Sequence, residues 1–194
     1  MDLTHPIRSV VPSLAGPVLQ ALAQSNAPAS LTELHQRAGD GSLSGVRKVL
    51  ELFAVEGIVL RSAAGYQLNR DHLAFPAITL LATLRTCFND RVREWAAQHP
   101  DHVRAVGVFG SMARRDGGSD SDIDLLVIAT DQADRDALRD ELSERVAAWT
   151  GNQAQVFTLT ARQLAQMRHE RDPLFVSWEQ DLQLLSGDRE QVFG

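Results

Sequence analysis

Apolar residues recur at helical spacing in some stretches of the chain and as short runs in others, and the two patterns divide it. Val18, Leu19 and Leu22 follow Gly16-Pro17 and stop at Ser25-Asn26-Ala27-Pro28, a helix with Pro near its start and a turn at its end. Leu31 and Leu34 mark a second helix, with Ser30 as N-cap and Glu33 completing a capping box. After the loop Ala38-Gly39-Asp40-Gly41, a third helix starts at Ser42 or Ser44, carries Val46, Val49, Leu50 and Phe53, and stops at Glu56-Gly57. Ile58 to Arg61 and Tyr66 to Leu68 then flank Ser62 to Gly65, which predicts a hairpin.

Ile78, Leu81, Leu84, Phe88, Val92 and Trp95 keep helical spacing up to Pro100, which predicts one long helix. Beyond Asp101 the pattern alternates. Strands are expected at Val103 to Phe109, Ile123 to Ile128 and Gln153 to Leu159, with a helix over Asp131 to Trp149. Thr160 and Gln163 form a second capping box, and Asp172-Pro173 opens the last expected helix. The expected class is α+β. It comprises three helices and a hairpin over residues 1–75, a linker helix over 76–100, and a small α/β domain of about three strands over 101–194.

Composition sharpens this. The chain has 194 residues, 44% of them hydrophobic, enough for one ordinary domain or two small ones. Its net charge of -6 argues against coating nucleic acid or anionic membrane by bulk charge. That charge is unevenly spread: residues 1–75 carry six basic and six acidic groups, residues 101–194 ten and seventeen. A neutral first block is still able to present a local basic face through Arg47, Lys48 and Arg61. Cys87 is the single cysteine, so no internal disulfide and no Cys-rich zinc site is possible, and a cytoplasmic setting is expected. The first residues lack a basic segment followed by an apolar run, so no signal peptide is expected. The apolar stretch Ala77 to Leu84, interrupted by Thr79 and Thr83, is far too short to span a membrane.

Three short helices followed by a hairpin, with the spacing of SLSGVRKVLELFAVEGIVLRSAAGYQLNR, resemble the winged helix-turn-helix domains of MarR- and ArsR-like bacterial regulators. The resemblance implies a third helix in the DNA major groove and a wing on the backbone. Ser42, Ser44, Arg47 and Lys48 would then face DNA, with Arg61 and Tyr66 on the wing. The same charges also fit the solvated face of an amphipathic helix. In dimeric regulators the following helix forms the subunit contact, which makes a homodimer one expectation and packing on its own chain the other.

The chemistry is concentrated between Val108 and Ile128. Gly110-Ser111 follows an apolar strand and precedes a helical turn, Met112 to Arg115, where free backbone N–H groups and a glycine let an anion approach. Farther on, Asp122 and Asp124 stand two residues apart at the opening of a strand, on one face and roughly 7 Å apart by the rise per residue. Two unpaired carboxylates so placed repel, and a divalent cation relieves the repulsion. An anion cradle facing a carboxylate pair suits metal-assisted phosphoryl chemistry.

Gly-Ser, about ten residues, then Asp-x-Asp on a strand resembles the polymerase-β-like nucleotidyltransferases, especially their minimal bacterial and archaeal domains. The whole chain is similar to bacterial fusions of a winged helix with such a domain. The resemblance implies that Gly110 and Ser111, with Arg114, hold a nucleoside triphosphate, expected to be ATP. It further implies that Asp122 and Asp124 are the catalytic pair and bind Mg2+, with room in the pattern for a two-metal site. An acceptor hydroxyl attacks the α-phosphorus and pyrophosphate leaves.

The chain departs from that pattern twice. Arg114 is followed by Arg115 where the family has Gly. Active members also carry a third carboxylate on the next strand, whereas Asn152 to Thr158 offers Gln153 and Gln155 but no acid. An amide is no base and a poorer Mg2+ ligand. Asp116, Asp120 and Glu170 are candidate substitutes from elsewhere, though none lies on the matching strand. Two functions are therefore expected in competition. One is transfer of a nucleoside monophosphate, AMP from ATP, to a hydroxyl of a protein or small molecule. The other is a catalytically weak, nucleotide-sensing regulator or antitoxin that binds DNA and a toxin partner.

Overall fold

The computed structural model describes residues 1–114, 116–118 and 121–193. They form two compact units, one holding Thr4–Arg85 and the other the chain from Thr86 onward.

In the first unit a short helix α1 (Pro6–Val10) precedes α2 (Ala15–Ala23), α3 (Leu31–Ala38) and α4 (Leu43–Val55). The two latter helices start where their polar caps require. Ser30 accepts from the Glu33 amide while the Glu33 side chain accepts from the Ser30 amide, and Ser42 accepts from the Gly45 amide at 3.1 Å. Strands β1 (Val59–Ser62) and β2 (Gly65–Leu68) follow as an antiparallel hairpin in which Arg61 pairs with Tyr66. The Ala29 backbone adds a bridge to Tyr66. Gly65 is required there: its φ is +128°, and a Cβ would lie 2.4 Å from the Ala29 carbonyl oxygen. Val18, Leu22, Leu34, Val46, Leu50 and Phe53 form the core beneath.

The long helix expected over 76–100 is instead two, α5 (Phe75–Ala82) and α6 (Leu84–Ala97), separated at Thr83 with φ -102° and ψ 8°. Thr79 and Thr83 turn their hydroxyls back onto the carbonyls of Phe75 and Leu80, a local bond that competes with the helix ladder. The apolar stripe is shared accordingly: Ile78 lies in the core of the first unit, and Phe88, Val92 and Trp95 in that of the second.

The second unit continues through β3 (Val103–Phe109), α7 (Gly110–Arg114), β4 (Ile123–Ala129), α8 (Arg135–Thr150), β5 (Ala154–Thr160), α9 (Ala161–Glu170), α10 (Pro173–Asp181), β6 (Gln183–Ser186) and α11 (Arg189–Phe193). Its sheet has four strands in the order β5-β4-β3-β6, with β4 and β5 parallel and the other neighbours antiparallel. About three strands were expected, and the fourth, β6, is a four-residue edge with little pattern of its own. Alternation along β4 sends Ile123, Leu125 and Val127 to one face, under α6 and α8. Leu126 and Ile128 go to the other, where Leu164, Phe175 and Trp178 of α9 and α10 cover them. Among the described residues no helix is long and apolar enough to cross a membrane.

Candidate functional site

The period of two that places Leu126 and Ile128 under α10 also places Asp124 on that face, at the end of the sheet where β3 runs into α7. Phe109 and Asp124 are register partners, so the carboxylate arrives beside Gly110. Gly110 has a φ of +66°, and a Cβ there would stand 2.3 Å from Asp124 Oδ2. The turn and the carboxylate fit together only because residue 110 has no side chain. Ser111 lies in the first turn of α7, and its carbonyl accepts from the Asp116 amide at 3.1 Å. Asp122 lies just ahead of β4 and is exposed, whereas Asp124 is half-buried. Partial burial raises the Asp124 carboxyl above its ordinary pKa, and the Asp122 charge raises it further against the opposing pull of Arg114.

In the parallel β4–β5 ladder the partner of Asp124 is Gln155. Its Nε2 donates to Asp122 Oδ2 at 3.2 Å. An amide donor thus occupies the strand position from which a third carboxylate was sought. Of the substitutes named from sequence, Asp116 binds Arg114 Nε at 3.1 Å and Glu170 accepts from Gln166 at 2.9 Å. Asp120 and Arg115 lie outside the described residues. Among the described residues no three His, Cys, Asp or Glu side chains are grouped to hold a metal ion.

Two contacts had no signal in the sequence. Arg114 Nη1 donates to Asp181 Oδ2 at 2.7 Å, and Gln183 Nε2 donates to the Ala113 carbonyl at 2.7 Å. The corner between α10 and β6 therefore grips the last turn of α7. Nothing local marks Asp181, because its partner is distant in sequence.

Residues 91–170 match the family model for polymerase beta, nucleotidyltransferase. The matched residues lie within the second unit and include β3, β4, β5 and the segments between them. A crystal structure of a toxin-antitoxin with AMP-PNP is similar to 53% of this chain over 75% of its own, at 17% identity and a TM-score of 0.40. A toxin-antitoxin MntA-HpeT mutant is similar over the same shares, at 17% identity and a TM-score of 0.41. Comparison with curated proteins gives no match. Gly110, Ser111 and Arg114 at the end of β3 and Asp122 and Asp124 at the facing start of β4 all lie within the matched residues.

The residues expected to face DNA lie in the other unit. Ser42 is the N-cap of α4 and shares a 3.0 Å hydrogen bond with Ser44, while Arg47 and Lys48 are exposed on the same helix. Arg61 is exposed on β1 with its guanidinium 5.9 Å from the centroid of the Tyr66 ring.

Proposed function

We propose that the second unit is a Mg2+-dependent nucleotidyltransferase that moves a nucleoside monophosphate, AMP from ATP, to a hydroxyl acceptor, and that the first unit is a winged helix that binds DNA. The observation that carries the first part is the contact of Asp124 with the Gly110 turn, which brings an anion cradle and a carboxylate pair together. Gly110 and Ser111 offer backbone and hydroxyl groups to the triphosphate, and Arg114 offers fixed positive charge. The donor set fits Mg2+: two carboxylates, with that of Asp124 held up by partial burial first and by the Asp122 charge second, a pairing a cation relieves. When bound, the cation neutralises and polarises the phosphate being attacked. Asp122 and Asp124 hold it, and Arg114 orients the triphosphate. Pure protein incubated with α-labelled ATP, Mg2+ and cell lysate is expected to label an acceptor. Label that persists undiminished after Asp122→Asn with Asp124→Asn overturns this reading.

The hydrogen bond from Gln155 to Asp122 favours a second reading, in which the nucleotide is bound but the acceptor hydroxyl is not efficiently deprotonated. The protein would then act as a nucleotide-sensing regulator or as the antitoxin of a toxin pair, through the exposed Ser44, Arg47 and Lys48 of α4 and the Arg61/Tyr66 wing. In gel shifts on the DNA upstream of its own reading frame, Arg47→Ala with Lys48→Ala is expected to weaken binding roughly tenfold and to flatten its salt dependence. Mobility unaffected by Mg-ATP and by these substitutions removes the DNA-binding role.

A further inference from the structure

The grip of the α10–β6 corner on α7 leads beyond the five residues named for nucleotide and metal. Asp181 ends α10 with a side chain only 10% exposed, whereas the side chain of its partner Arg114 is 50% exposed. A carboxylate so deeply placed needs a charged partner, and Arg114 Nη1 at 2.7 Å supplies it to Oδ2. The other oxygen, Oδ1, is buried and has no hydrogen-bond partner among the described residues. Packing alone gives no reason to keep a half-satisfied carboxylate there, since an apolar residue would avoid the cost. On the far side of the buried Leu182, Gln183 holds the Ala113 carbonyl. Adjacent residues of α7 are thus fixed from one corner, the backbone by Gln183 and the guanidinium by Asp181.

The direction of Arg114 follows. Nε is turned to Asp116 and Nη1 to Asp181, on the short helix whose first residue, Gly110, packs against Asp124. A guanidinium has five N–H donors in a planar fork. The others belong to a side chain that is half exposed. An arginine held in one rotamer before binding loses less freedom on meeting a phosphate than a free one.

We propose that Asp181 is a positioning residue of the nucleotide site, which holds the Arg114 guanidinium in the orientation that receives the triphosphate. Asp181 acts through Arg114 and touches neither nucleotide nor metal. The proposal rests on the nucleotide-binding reading given above.

The test is equilibrium binding of ATP to the full chain in Mg2+, beside thermal melting of each variant. Asp181→Asn is expected to weaken ATP binding about tenfold, the scale found for groups that orient a ligand-contacting residue. Asp181→Glu, which restores the ion pair, is expected to recover most of it. In an Arg114→Ala background the effect of Asp181→Asn is expected to shrink to a small remainder, because the route through the guanidinium is gone and only the direct repulsion between Asp181 and Asp124 is left. ATP binding unchanged or tightened by Asp181→Asn overturns the proposal, as does an undiminished effect in the Arg114→Ala background, which would mark Asp181 as merely structural. If Asp181→Asn does not fold, Arg114→Lys carries the test. It keeps the charge but cannot bridge Asp116 and Asp181 with one fork, so severalfold weaker binding is expected and equal binding overturns the proposal. ATP that fails to bind the unaltered protein overturns the nucleotide-binding reading itself, and this proposal with it. Binding by the unaltered protein that Asp181→Asn leaves intact overturns the positioning role alone.

Discussion

Gln155→Glu is expected to raise nucleotidyl transfer by roughly 10²-fold, the lower range of what a positioned general base contributes. Gln155 is the register partner of Asp124 and reaches Asp122 with its amide, so a carboxylate of the same length would stand beside both. On the second reading, the neutral amide puts no proton acceptor on β5 beside Asp122 and Asp124. The introduced carboxylate would supply the proton acceptor and a third oxygen donor. Without a cation the substitution is unfavourable, since it replaces an N–H donor to Asp122 with a third negative charge. A second readout follows from the same physics. Mg2+ is expected to raise the melting temperature of the variant more than that of the unaltered protein, because a tenfold tighter site adds about 1.4 kcal/mol at saturation. A folded variant that labels acceptor no faster, and gains no more stability from Mg2+, shows that Gln155 does not stand where the missing base belongs.

The features legible in the sequence are those whose cause is local. Ser30 with Glu33, Thr160 with Gln163, and Asp172 before Pro173 are caps that satisfy the amides of their own helix, and each starts a helix in the structure. The apolar runs of β3 and β4 are legible because both faces of those strands are covered, and the spacing of Asp122 and Asp124 needs only the pleat of one strand. What failed was tertiary. The stripe from Ile78 to Trp95 has unbroken helical spacing, yet it serves two cores, and only the backbone bonds of Thr79 and Thr83 show where it divides. Strand β6 is four residues long and is defined by its partner β3 rather than by its own alternation. The absent acid at Gln155 was legible by subtraction. Its bond to Asp122 and the grip of Asp181 on Arg114 were not, since both depend on which strand lies beside which.

Gly110→Ala is expected to cost the site far more than it costs the fold. At a φ of +66° an L-residue is disfavoured by about 1–2 kcal/mol, and this applies to any alanine placed there. The larger consequence is steric. The new Cβ would stand 2.3 Å from Asp124 Oδ2, so the carboxylate or the turn must move by on the order of 1 Å. Displacement of that size between reacting groups costs roughly 10²-fold in rate. Gly151 provides the control, for it ends α8 with a φ of +74° and nothing lies within 4 Å of where its Cβ would be. Gly151→Ala therefore carries the backbone cost without the collision. Urea denaturation is expected to show similar losses of stability for the two variants, while ATP binding and acceptor labelling fall steeply only for Gly110→Ala. Equal labelling by the two would mean that the contact between Asp124 and the Gly110 turn does not set the working position of the carboxylate, and the site would have to be built on Asp122 and Arg114 instead.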